Sequence, residues 1–286
     1  MNQLEVLMIR GVLIATLVVV FSGYVQGQSW FERGQDADLM LSGVDFNNTG
    51  GSLSLNHPNG IASDGTRFLL CDRFNNRVLV WNSLPENWDD EPDLVLGQPD
   101  FSQNDPGRGM GKMNWPGNVS VSQNGMVAVA DTENDRILIW NEFPTVSGEE
   151  ADLMIDFEAI SDMGANIRYS WPWGVWTDGT KLAAISTAGG YLLFWDKVPT
   201  IDNTGPDYTI DLPELGTPRN ISTDGATYFF VGDHNAQPSE SAQNEAGTFF
   251  WNSYPSQQDQ NYDFYRSEWI KGGKTYRWQI SCRGHV

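Results

Sequence analysis

Basic residues are scarce in this chain. Its 17 Lys and Arg stand against 37 Asp and Glu, for a net charge of −20. Glu5 and Arg10 offset each other near the N-terminus, so the rest of the chain carries all of that charge. A surface this acidic repels phosphate backbones and argues against nucleic acid as a partner. Its simplest use is solubility; the one cofactor it leaves open is calcium, and otherwise no cofactor is expected. Cysteine is also scarce. The pair Cys71 and Cys282 cannot make a disulfide framework, and Cys71, inside Phe68-Leu69-Leu70-Cys71, reads as a small buried strand residue. Long helix-forming stretches are few, whereas tryptophan (12), glycine (29) and proline (14) are plentiful, which favours strands joined by tight turns.

The N-terminus reads as a targeting segment. Arg10 precedes an apolar run from Gly11 to Phe21, and Val25 and Gly27 suit the −3 and −1 positions of a signal-peptidase site. Residues 1–27 are therefore expected to direct export and to be cleaved, leaving a secreted, extracellular or periplasmic protein. A start at Met8 would give a cleaner signal, and a retained anchor is the alternative, although the apolar core is short for a span.

From there the chain repeats with a period of about 56 residues. Four segments end in tryptophan, at Trp81, Trp140, Trp195 and Trp251, and each is followed by a proline, at Pro85, Pro144, Pro199 and Pro255. An acidic-apolar strand follows, as in Asp93-Leu94-Val95-Leu96, Asp152-Leu153-Met154-Ile155 and Asp207-Tyr208-Thr209-Ile210. Next come a second proline (Pro58, Pro116, Pro172, Pro218), a short strand, and a turn at Asp64-Gly65, Asn124-Gly125, Asp178-Gly179 or Asp224-Gly225. These dipeptides predict hairpins through type I′ turns, in which both central residues need positive φ. In the first unit the expected strands are Gly60–Ser63, Arg67–Cys71, Arg77–Trp81 and Asp93–Gly97. Four-stranded antiparallel sheets recurring at this period make an all-β fold, a β-propeller with four complete blades over residues 28–265. Partial strands are expected at both ends, Asp38–Leu41 before the first unit and Tyr262–Phe264 after the last.

The loops Asp72-Arg73-Phe74-Asn75-Asn76-Arg77 and Asp131-Thr132-Glu133-Asn134-Asp135-Arg136 resemble the Asp-x-x-Asn-x-Arg loop of NHL-repeat propellers. Leu96-Gly97-Gln98-Pro99-Asp100-Phe101 resembles a sequence common in secreted bacterial and archaeal members. The likeness weakens in the third unit, where Ser186-Thr187-Ala188-Gly189-Gly190-Tyr191 lacks the Asp, Asn and Arg, and in the fourth, which keeps Asp233 ahead of an insertion. The resemblance implies six blades, so four would be an incomplete ring. A fifth tryptophan would fall beyond Val286, and residues 266–286 turn basic and lose the pattern. A truncated or frameshifted reading frame is one explanation; a small irregular ring and closure by a second chain are the others. An open ring would expose strand edges and invite self-association.

Propellers bind ligands where their innermost strands begin. By repeat alignment the lining candidates are His57, Asn59, Trp115, Asn118, Trp171, Trp173, Arg219 and Asn220. The tryptophans suit stacking on a flat apolar or sugar ligand and the asparagines suit hydrogen bonding, unless the tryptophans instead pack between blades. No catalytic residue is assigned. A zinc lyase of the amidating type would need several convergent histidines, and this chain has only His57, His234 and His285. A lactonase-like calcium site would need carboxylates at the mouth, where these positions supply none. Sequons at Asn47, Asn118 and Asn220 are explained by the repeat at the last two, and Trp88-Asp89-Asp90-Glu91 reads as a solvated turn. The expected function is a non-catalytic module that binds an extracellular protein or small ligand. An enzyme with its site at the channel mouth is the runner-up, and a fragment with no function of its own is a third reading.

Overall fold

The computed structural model describes residues 37–41, 53–162, 164–224, 228–238 and 245–267. The proposed signal segment, the sequon at Asn47 and the basic tail after Ser267 lie outside them. Every strand described here belongs to the compact unit that begins at Leu39.

The protein is all-β, with four four-stranded antiparallel sheets arranged as the blades of a propeller. Blade 1 is β1 (Pro58–Ser63), β2 (Phe68–Asp72), β3 (Arg77–Trp81) and β4 (Leu94–Leu96). Blade 2 is β5 (Pro116–Val121), β6 (Val127–Asp131), β7 (Arg136–Trp140) and β8 (Leu153–Asp156). Blade 3 is β9 (Pro172–Thr177), β10 (Leu182–Ser186), β11 (Tyr191–Trp195) and β12 (Tyr208–Ile210). Blade 4 is β13 (Pro218–Thr223), β14 (Phe229–Ala236), β15 (Glu245–Trp251) and β16 (Phe264–Ser267). The last strand runs past the boundary expected at 265, and Asp38–Leu41 carries no strand, although Leu41 packs against the apolar face of blade 1.

The repeated residues have repeated tasks. Each terminal tryptophan donates its indole N–H to a carbonyl in the following loop: Trp81 to Asp90, Trp140 to Glu149, Trp195 to Thr204 and Trp251 to Gln260, at 3.0–3.1 Å. The aspartate before each outer strand (Asp93, Asp152, Asp207, Asp263) accepts from the backbone N–H just after that tryptophan. Ring and carboxylate together fix the connection from third to fourth strand, which is why both recur. The hairpin turns at Asp64-Gly65, Asn124-Gly125 and Asp178-Gly179 are present but are not type I′, and Gly225 of the fourth lies outside the described residues. At Gly65, Gly125 and Gly179 only the glycine takes positive φ. The preceding Asp64 and Asp178 instead accept backbone N–H bonds from the residues after the glycine, an Asx turn that needs no left-handed aspartate.

Three apolar cores lie between successive blades. Val119 packs in the core of blades 1 and 2, Val175 in that of blades 2 and 3, and Ile221 in that of blades 3 and 4. The inner strands follow suit, with β1 against β5, β5 against β9 and β9 against β13; among the described residues no packing of similar extent joins β13 to β1. Ile61 is the counterpart in blade 1, and it is 63% exposed where Val119 is 2% exposed. Close inner-strand approach requires glycine at Gly117, where a Cβ would meet the Thr132 hydroxyl at 2.5 Å and the Trp173 carbonyl at 3.1 Å.

Candidate functional site

The site is built where the inner strands begin. His57, Trp115 and Trp171 each hold a left-handed backbone (φ 54°, 51° and 59°), an uncommon state for bulky residues. A proline then opens the strand, where its missing N–H leaves no gap in the ladder. Register shifts follow in every blade: between Pro58 and Ile61, Pro116 and Asn118, and Pro218 and Asn220, and opposite Pro172 between Ala184 and Ser186. Such bulges re-aim the side chains they contain. The side chains so placed are those of Asn59, Trp173 and Arg219, and blade 2 has Gly117 at that position.

The left-handed tryptophans are tied to the blade before. The Trp115 N–H donates to the Asn76 side chain at 2.9 Å, and the Trp171 N–H donates to the Asp135 carboxylate. Asn76 and Asp135 are themselves left-handed caps of the short 3-10 turns Arg73–Asn75 and Thr132–Asn134. Beneath them lie two buried networks. In blade 1, Asp72 accepts from Asn75 and from Arg77 Nε, both at 2.8 Å. In blade 2, Asp131 accepts from Asn134 at 2.7 Å and from Arg136 Nε at 2.8 Å. The guanidinium of Arg136 reaches further, to the carbonyls of Arg108, Gly109 and Lys112. Burial pushes the Asp131 carboxyl up, against the lowering effect of these donors.

The mouth draws side chains from all four blades. Arg73, from the loop after β2, lies over the rings of Phe74, Trp115 and Trp173, closest to Trp173 at 4.2 Å. Arg219, from β13, lies over the same Trp173 ring at 4.6 Å. Trp173 meets Trp171 edge to face at 5.1 Å, and Trp171 donates its indole N–H to Glu133 at 2.9 Å. Phe74 is flanked by His57 at 4.2 Å and Trp115 at 4.6 Å. Trp115 is 38% exposed and Trp173 only 8%, so Trp115 offers a free face while the Trp173 ring is covered, with two guanidiniums against it. Burial lowers the Arg73 pKa; the charge of Glu133 acts against this and that of Arg219 adds to it.

Of the residues expected at the mouth, His57, Trp115, Trp171, Trp173 and Arg219 belong to this connected cluster. Asn118 sits at the seam between inner strands, its Cα where a side chain on Gly60 would have to go. Asn59 and Asn220 are exposed on β1 and β13. His57 is exposed, with Nδ1 3.0 Å from the Asn56 side-chain oxygen. Arg73, Phe74 and Glu133 are the members that repeat alignment did not pick out. The signal for them was topological: β2 runs antiparallel to β1 and pairs Asp72 with Pro58, so the loop after β2 returns to the end where β1 began. Among the described residues no three His, Cys, Asp or Glu side chains are grouped to hold a metal ion. Cys71 is wholly buried in the core, and burial pushes its thiol up, beyond use as a nucleophile.

No known protein family matches the chain, and neither does any curated protein. Solved structures are similar in architecture. Hydrazine synthase of Kuenenia stuttgartiensis aligns with a TM-score of 0.47 at 11% identity, over 83% of this chain and 52% of that one. A streptogramin B lyase aligns at 0.40 and 13%, over 71% and 55%. The polycomb repressive complex 2 of Chaetomium thermophilum aligns at 0.41 and 14%, over 68% and 45%. The chain thus spans about half the length of each.

Proposed function

We propose that the chain is an exported NHL-type propeller that works as a binding module, holding an extracellular small ligand or a protein side chain at the mouth of its inner strands. The observation that carries this reading is convergence. Arg73, Trp115, Trp173 and Arg219 come from four different blades and form one contiguous aromatic and cationic surface. A half-open tryptophan beside fixed polar groups is a common means of holding a ring. The NHL assignment is supported by the two Asp-x-x-Asn-x-Arg networks, and export by the N-terminal apolar segment.

The test is a titration of the protein with methyl glucoside and with benzyl alcohol, followed by tryptophan fluorescence and calorimetry. At least one probe is expected to bind. Trp115→Ala should weaken that binding by roughly tenfold or more, in keeping with an aromatic contact worth about 1 kcal/mol together with its buried area. Its melting point should barely move, because Trp115 is already 38% exposed. Binding that ignores the substitution places the ligand elsewhere.

A further inference from the structure

Ion pairs hold four of the eight described arginines. Arg67, Arg77, Arg108 and Arg136 are ion-paired with Asp64, Asp72, Asp156 and Asp131. Among the described residues Arg73, Arg168, Arg219 and Arg266 have no carboxylate within 4.0 Å; Arg168 and Arg266 are exposed, whereas Arg73 and Arg219 are partly buried. Both lie within 4.6 Å of the centre of one ring, that of Trp173, and the charge of Arg219 acts on Arg73. The Nε atom of each is buried and has no hydrogen-bond partner. The nearby carboxylate of Glu133 is engaged by the indole of Trp171.

A buried donor without an acceptor calls for an explanation, and two such donors on neighbouring cations point to the same missing group. The Nε and Nη edge of a guanidinium matches the two oxygens of a carboxylate, which it binds side-on. Two hydroxyls add to the setting, since Thr132 Oγ1 and Thr217 Oγ1 are likewise buried without partners. Thr132 stands beside Gly117, whose other neighbour is Trp173, and Thr217 directly precedes the inner strand that carries Arg219.

We infer that the mouth binds a ring-bearing carboxylate, its oxygens on Arg73 and Arg219 beside Trp173 and its ring along the exposed face of Trp115. This rests on the channel-mouth reading and names the ligand class for it. The acid has two sources, a uronic sugar or an aromatic acid, and both present the same anionic group beside a face that can stack. Neither arginine repeats in the sequence: the counterparts of Arg73 and Arg219 in blade 2 are Thr132 and Gly117.

The experiment is calorimetry on the full chain with two matched pairs, glucuronate against glucose and benzoate against benzyl alcohol, at low and high salt. In at least one pair the acid should bind roughly tenfold or more tightly than its neutral partner, and which pair does so identifies the source. Added salt and inorganic phosphate should both erode that preference. The Arg73→Gln/Arg219→Gln double variant should lose the preference, its affinities for the acid and for the neutral partner becoming equal whatever their common value. Equal binding of acid and neutral probe overturns the carboxylate assignment while leaving a binding mouth in place. No binding by any of the four overturns both. If the double variant does not fold, the salt and phosphate titrations of the native protein decide alone, and a preference they do not erode sinks the inference.

Discussion

Blades 1 and 2 hold the loop between their second and third strands with an aspartate–arginine ion pair, and among the described residues blades 3 and 4 show no such pair. In blade 2, Asp131, Asn134 and Arg136 form a buried network that also anchors the carbonyls of residues 108–112. In blade 3 the same positions are Ser186, Gly189 and Tyr191. The Ser186 hydroxyl accepts from the Ser170 N–H at 2.9 Å and donates to its carbonyl at 3.1 Å, and Tyr191 meets Tyr169 edge to face at 5.4 Å. In blade 4, Asp233 still accepts backbone N–H bonds from Gly216, Thr217 and Asn235, as Asp131 does from Asn114, and among the described residues no arginine pairs with it. The backbone path therefore requires an acceptor for the incoming inner strand; the arginine is a further device that ties down the long connection to the next blade.

The sharpest way to break this comparison is to remove the arginine where the loop depends on it. Arg136 is 1% exposed and its partner Asp131 is wholly buried. Arg136→Met should cost about 3–5 kcal/mol, because it leaves a buried carboxylate facing several freed carbonyls. Tyr191→Phe, at the counterpart position in blade 3, should cost well under about 1 kcal/mol. Adding Asp131→Asn to Arg136→Met should recover part of the loss, giving a non-additive cycle of about 1–3 kcal/mol in urea denaturation. Equal costs at positions 136 and 191 would mean that the ion pair adds nothing to what backbone acceptors already provide.

The inner strands offer a second contrast, between a covered and an uncovered face. Val119 and Ile61 are repeat counterparts at 2% and 63% exposure. Val119→Ala should cost about 2 kcal/mol through lost burial and the cavity left between blades 1 and 2. Ile61→Ala should stay within about 0.5 kcal/mol in dilute protein, as exposed substitutions do. If the cost at Ile61 rises with protein concentration, a second chain covers that face.

The frame was legible in the sequence because its punctuation carries bonds. Each Trp and each Asp of the repeat satisfies one backbone group at a strand end, so substitution leaves a polar atom stranded, and the pattern survives in all four blades. The turn type was misread because Asp-Gly serves both type I′ and Asx turns, and only the observed φ of Asp64 and Asp178 separates them. The mouth was half legible. Trp115, Trp171, Trp173 and Arg219 stand at an alignable position, whereas Arg73 and Glu133 occupy variable places in a loop and differ from blade to blade. Alignment finds what repeats, and a single site on the axis of a repeat protein is assembled from what does not.

The finest contrast is between the links that join one blade to the next. From blade 1 to 2 and from 2 to 3 the link is the side chain of a left-handed residue, Asn76 or Asp135, accepting from the next tryptophan. The counterpart in blade 3 is Gly190, which has no side chain to offer. Blade 3 reaches blade 4 instead through Thr187, buried, whose hydroxyl donates to the Pro218 carbonyl at 2.6 Å. Thr187→Val keeps the shape and removes that donor, so it should cost about 1 kcal/mol. Because Pro218 directly precedes Arg219, the same change should also loosen the hold on an acidic probe by a few-fold at a temperature where the variant is fully folded. A stability loss with the acid preference intact would mean that Arg219 is positioned by Trp173 alone, and that the link from blade 3 to blade 4 is purely architectural.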